Sequence, residues 1–539
     1  MERERQPRAR RIYSSSPLAA LALSALLCFM TACNCGGGSK SGNNNPVPVI
    51  SSLSPDHMNA GSSAFTLTVN GSGFISSSVA NWNDSPRPTS FVNSGQLTAS
   101  ISQADVAAVG TAQVSVFNPS PEGGTSSRLT FSISGSGPSL TSLSPASRAA
   151  GGPAFILVAN GNNFNSSTVL RWNGQDRATQ FVNGSQVAAS ITSTDIAAAG
   201  IGKVTAFNPG AGGGESAVQI FPVFLNIATA DLIYDEVNSP KNWIYASVPA
   251  NAGPGAGSAN TITAIDPVAG KVLDAPAPVS VGGDPGRLAL SDDGQFLYFG
   301  LNQAPSVRRL SLSSDPPVLD PLTISLGSNP DLRVESLQVL QLSQGNSIAV
   351  ARKVPGTPRN AGVAIYDGAT QRPTTTAAGT SPNVIQLCAT PNILFGLNVG
   401  DGGPPVFYKM SVNASGVTVT NTSNLISGSD ISLGVSAAGE RIFSTSGQVL
   451  DVTNLILEHT FQATGLVKAD STVGRVFYLS QDPAPSTWTV QVFDVDTFAP
   501  NGSLKIPGVN GNPGSLIRWG TNGLAFRTDS NQVFLITSP

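Results

Sequence analysis

The sequence predicts an all-β chain, and three observations point that way. Gly (56) and Pro (39) are abundant among 539 residues, whereas charged residues are only 11% and aromatics 6%. Short runs such as Phe65-Thr-Leu-Thr-Val69 and Ala112-Gln-Val-Ser-Val116 alternate apolar and polar residues between Gly, Asn and Pro turns, as an antiparallel sheet with one wet face requires. Beyond the N-terminus no stretch sustains a helical period. Hydrophobic residues at 40% are enough for packed cores, and the length calls for several domains. A net charge of −3 provides no basic field for nucleic acid and no acidic tail.

The N-terminus predicts export. Arg3, Arg5, Arg8, Arg10 and Arg11 precede the apolar segment Leu18–Met30, which is too short to span a bilayer comfortably. The cut site Met30-Thr31-Ala32-Cys33 resembles the lipobox of bacterial lipoproteins, although Met30 stands where that family usually has Leu. The resemblance implies a signal peptide over 1–32, and diacylated Cys33 as lipidation site and new N-terminus. Cys35 fits less well because Asn34 precedes it. Residues 33–46 then read as a lipidated flexible tether, rich in Gly, Ser and Asn. Asn34 after the anchor implies, by resemblance to enterobacterial sorting, the outer membrane or cell surface. Cys28 falls within the apolar segment and Cys388 stands far downstream, so no disulfide framework is spaced through the fold.

A repeat organises the next region. Ser52-Leu-Ser-Pro55 recurs as Ser142-Leu-Ser-Pro145, an offset of 90 (142 − 52). The same offset links Trp82-Asn83 with Trp172-Asn173, Phe91-Val-Asn93 with Phe181-Val-Asn183, and Phe117-Asn-Pro119 with Phe207-Asn-Pro209. About half the aligned positions are identical and no insertion breaks the register. Two units of this length with several short strands fit immunoglobulin-like sandwiches. Their pattern, from the Leu-Ser-Pro start through Trp-Asn to Phe-Asn-Pro, resembles the IPT/TIG family. That resemblance implies domains over 47–134 and 137–222 that act as spacers or interaction modules. Trp82 and Trp172 are expected in the core or packed at a sheet edge, and Asp105 and Asp195 as capping or turn residues.

Residues 223–539 are expected to form a seven-bladed β-propeller. Pro285–Phe299 and Ser306–Leu312 contain a strand, an Asp-Gly turn, a second strand, a loop and a third strand, which is most of a blade. Weaker copies begin at Ile431, Val467 and Leu516, and further blades fit Leu232–Ala264, Leu337–Tyr366 and Val384–Met410. Phe221-Pro-Val-Phe-Leu-Asn226 has no blade of its own and is available to join the last one, removing open edges. The whole resembles the YVTN or lactonase-like propellers of bacterial surface proteins. The lactonase relatives imply hydrolysis of sugar lactones near the central channel, but no local motif here carries a catalytic residue across.

Chemistry is sparse. Of two histidines, His57 follows Ser-Pro in a turn and His459 lies on an outer strand. No Cys-x-x-Cys or His-x-His pattern offers a transition-metal site. Gly210–Gly214 and Gly253–Gly257 lack the strand-to-helix context of a phosphate cradle. Asp292-Asp293-Gly294 reads as a hairpin turn rather than a calcium loop, and Cys388 as a small buried hydrophobe. No catalytic, cofactor or metal residue is therefore expected. The expected function is non-enzymatic: an envelope lipoprotein whose sandwich stalk presents a propeller for protein or carbohydrate binding, in adhesion or as a scaffold. The alternative is a propeller hydrolase acting on a lactone or sugar derivative. Acidic residues, Arg and a metal at a channel mouth would favour the hydrolase; small polar side chains plugging it would favour binding.

Overall fold

A computed structural model of the chain describes residues 44–537, apart from 136, 210–212, 239–240, 254–256, 342–346, 401–402 and 437–438. The predicted signal peptide, Cys33 and nearly all of the tether lie outside the described residues. Among those residues the regular structure is strand, apart from one short 3-10 turn at Gln103–Val106, and turns and loops join the strands. No described helix is long and apolar enough to cross a membrane.

In the first sandwich, strands Val49–Ser54, Phe65–Ser72, Gln96–Ile101 and Thr89–Asn93 lie side by side in that order. Opposite them Val79–Trp82 pairs antiparallel with Gly110–Asn118. Inward positions are apolar because the strands alternate: Leu67 and Val69 face the core, as do Leu97 and Ala99. The second copy repeats the order with Ser139–Ser144, Phe155–Asn162, Gln186–Ile191 and Thr179–Asn183. Trp82 and Trp172 are each 2% exposed, and Trp172 meets Phe221 edge-on at 5.3 Å. The expected packing role of both tryptophans is therefore what the structure shows.

From Asp231 onwards the described residues form seven successive antiparallel sheets. Their first strands are Asp231–Tyr234, Pro285–Leu290, Arg333–Val339, Val384–Leu387, Ile431–Ser436, Leu466–Asp470 and Pro513–Trp519. Each first strand lies against the next, and Pro513–Trp519 lies against Asp231–Tyr234, so the ring closes in a propeller-like arrangement. Apolar clusters fill the spaces between neighbouring sheets. Phe477, Val490 and Ile506 of the sixth sheet, for example, pack on Leu524, Phe526 and Phe534 of the seventh. Leu535 of the seventh packs on Leu232 and Ile244 of the first. Burying both faces of every sheet in this way leaves the middle of the ring to polar groups.

The second sandwich and the ring share one strand. Gln219–Asn226 pairs along its first half with Gly200–Asn208 of the sandwich. Its end pairs with the ring's final strand, Leu225 opposite Val533 and Asn226 opposite Gln532. The last sheet thus gains a covered edge. Two glycines let backbones meet near this junction. Gly270 (φ 64°) receives a hydrogen bond from Ala199 N at 2.8 Å, and Gly508 (φ 72°) one from Ser147 Oγ at 2.8 Å. A Cβ at either would run into Ala199 O or Ser147 Oγ, at 2.3 Å in each case.

Candidate functional site

The ring's centre holds a cavity of about 390 Å³, lined by residues of its first strands and the loops beside them. Strand alternation explains the lining: the faces of the first strands are committed to sheet packing, and the few charged side chains turn toward the enclosed space. Asp231 is 8% exposed and links three first strands. Its Oδ1 accepts hydrogen bonds from Ser515 Oγ (2.6 Å) and Leu232 N (3.0 Å), and its Oδ2 accepts one from Leu288 N (3.0 Å). Arg287 Nη1 sits 3.8 Å from Asp231 Oδ1, and the carboxylate holds the guanidinium above its usual pKa against the opposing effect of burial.

Glu335 is held by Lys353 Nζ at 2.9 Å and by Arg359. These pairs neutralise most of the wall. Two charges remain uncommitted. Asp430 accepts one bond, from Ile431 N at 2.8 Å. Enclosure by protein raises its pKa, with Arg287 and Lys468 pulling the other way. Lys468 has no hydrogen bond or ion pair within 4 Å among the described residues, and loss of hydration lowers its pKa despite the fields of Asp470, Glu236 and Asp430.

Lys468 also lines a second cavity of about 280 Å³, toward the C-terminal ends of the first strands. Here the wall carries Tyr234, Trp519, Glu236 and the pair Arg518–Asp470 (Nε to Oδ2, 3.0 Å). Trp519 is pinned: its Nε1 donates to Leu524 O at 3.0 Å, and Gly523 lies so close that a Cβ would be 2.1 Å from the indole. Among the described residues the channel therefore combines one unpaired cation (Lys468), two carboxylates with no ion-pair partner (Asp430 and Glu236), amide side chains and a fixed aromatic ring.

The residues singled out from the sequence fall elsewhere. His57 is exposed, with Nδ1 2.7 Å from Asp56 Oδ1, and it opens a short strand rather than lying wholly in a turn. His459 is on the outer strand Ile456–Thr460 and stacks on Phe498 at 4.6 Å. Asp105 forms a capping box with Ser102, and Asp195 bonds Thr192 and Arg177. Asp292 and Asp293 form the expected hairpin turn, where Asp293 Oδ1 accepts from Gln295 N. Cys388 is buried at 2% exposure, and that burial, together with donation of its thiol to Glu440, pushes the pKa up to about 11. Among the described residues, no three His, Cys, Asp or Glu side chains converge to hold a metal ion.

Sequence reasoning did not single out Asp231, Arg287, Asp430 and Lys468. A signal exists: in a chain this poor in charge, each stands within or beside an apolar first strand, as in Gly286-Arg-Leu288 and Val467-Lys-Ala469.

Residues 48–133 match the IPT/TIG domain family. No curated protein matches the chain by sequence. Among solved structures it is similar to hydrazine synthase of Kuenenia stuttgartiensis (12% identity, 58% of this chain and 96% of that one, TM-score 0.41). It is similar also to the β-propeller domain of Cps50 (Swd1) from Myceliophteria thermophila (10% identity, 58% and 97%, TM-score 0.43). A third is an auxiliary nutrient binding protein of Bacteroides thetaiotaomicron (11% identity, 91% and 98%, TM-score 0.33). The family match and the strand topology together describe an almost entirely β protein that carries an IPT/TIG domain ahead of a propeller-like ring.

Proposed function

We propose that the chain is an exported lipoprotein, anchored through Cys33 at the outer membrane or cell surface. In this reading a second IPT/TIG-type unit follows the first over 137–222, and the ring from 223 is a seven-bladed propeller of the YVTN or lactonase-like kind. Its function is non-enzymatic binding of a carbohydrate or protein group in the central channel, in adhesion or as part of an envelope scaffold. One observation carries it: the channel wall has most of its charges internally paired, yet leaves Lys468 and Asp430 facing an open cavity. Paired walls give shape and specificity, and leftover groups give a ligand something to hold.

A second reading, a lactone or sugar hydrolase, draws on the same place. Acidic residues and arginines do converge there, and a carboxyl group with a raised pKa such as Asp430 suits a general acid.

The test uses the full-length protein in detergent micelles against a glycan panel, beside Gln386→Trp, which fills the channel. Saturable binding that the variant loses supports the reading; binding that survives the variant moves the site out of the channel. Turnover of a bound sugar lactone would replace binding with hydrolysis. Incorporation of labelled palmitate that vanishes in Cys33→Ala tests the anchor.

A further inference from the structure

The two cavities that share Lys468 narrow the ligand, on the premise that the channel is a binding site. A single uncommitted ammonium, in the field of the carboxylates of Asp470, Glu236 and Asp430, matches a monoanion. A phosphate dianion would need further free cations and would be repelled by these acids. Lys468 is half-buried, faces both cavities and has no partner among the described residues, so its ammonium is available to a carboxylate brought to it. Asp430 keeps acceptor capacity beyond its one backbone bond, which a hydroxyl donor satisfies. Gln386 makes no side-chain hydrogen bond among the described residues and lines the first cavity, adding an amide for a polyol. On the other side of Lys468, Tyr234 and the pinned Trp519 offer flat apolar surface. A carboxylate, several hydroxyls and a ring face together describe a sugar acid joined to a neighbouring sugar.

We propose that the ring channel binds an acidic saccharide, with Lys468 seating its carboxylate, Asp430 accepting a hydroxyl, and Trp519 with Tyr234 packing on the adjacent ring. Cavities of about 390 and 280 Å³ on either side of Lys468 leave room for more than one sugar unit.

Isothermal titration of the full-length protein tests this with uronic acid dimers (galacturonate, glucuronate and mannuronate) and the neutral dimer corresponding to each. At least one uronate dimer is expected to bind ten-fold or more tightly than its neutral counterpart. Lys468→Met should abolish that preference and Lys468→Arg should retain it, while Trp519→Leu weakens the acidic and neutral forms alike. Equal binding of acidic and neutral dimers by the unaltered protein overturns the proposal, whatever the variants do. So does a Lys468→Met protein that folds and keeps the preference. Binding by none of the dimers overturns it too, and in that case the glycan panel with Gln386→Trp separately decides whether the channel binds anything.

Discussion

The two 90-residue copies have the same strands and the same buried tryptophan, yet they end differently. In the first, Phe65 stacks on Phe131 at 5.7 Å and 24°; in the second, Phe155 stacks on Phe221 at 5.7 Å and 23°. The final strand then diverges. Leu129–Ser134 contains Phe131-Ser-Ile-Ser134, alternating a buried residue with a small polar one that water can reach. Gln219–Asn226 contains Phe221-Pro-Val-Phe-Leu225, apolar on both faces, and it runs on into the ring. A shared core therefore sets the sandwich, while the residues on the outward face decide whether its last strand ends or becomes part of another sheet.

Equal cores should respond equally. Trp82→Ala and Trp172→Ala are each expected to cost about 3–5 kcal/mol, because both remove a large side chain from a closed core. Chemical denaturation of the two variants checks this, and a difference above 2 kcal/mol would break the equivalence. The shared strand should matter next. Leu225→Ala is expected to cost about 2–5 kcal/mol, since Leu225 packs with Leu232, Val533 and Leu535 at the joint. A loss below 1 kcal/mol would mean that the continued strand is not what joins sandwich to ring.

The smallest effect sharpens the comparison at the cap. Asp195→Ala should cost about 1 kcal/mol through the lost cap at Thr192 and the lost pair with Arg177 (2.5 Å). Burial pushes the Asp195 carboxyl up, but its bonds to Arg177 and Thr192 outweigh this and hold it below the usual carboxylate range. A carboxyl depressed in the folded state adds stability above its unfolded pKa of about 4 and loses it as pH falls through the folded value. The gap between the unaltered protein and Asp195→Ala should thus be full at pH 7 and shrink below pH 4. A gap independent of pH would show that the ion pair contributes nothing.

Much of this was legible in the chain itself. The offset of 90 placed both copies of the sandwich strands, because a duplicated hydrophobic pattern has to bury the same face twice. The Asp-Gly turn at 293–294 and the alternation around it located the hairpin of the second ring sheet, since glycine at φ 66° makes that turn. Even the unassigned segment Phe221–Asn226 announced a spare strand. The predicted channel was there too, but not its contents. Asp231, Arg287, Asp430 and Lys468 are separated by as many as 237 residues (468 − 231), and nothing local relates them.

The sequence by itself determined the strand content, the duplication and the succession of hairpins, because those follow from period-two patterning and from turn residues acting over a few positions. Only the tertiary structure decided which charges meet. Closing a ring brings the first strand of the last sheet against the first strand of the first, so Ser515 reaches Asp231. Closure likewise leaves Lys468 with a cavity on either side and no partner among the described residues, since its place depends on neighbours in space rather than in sequence.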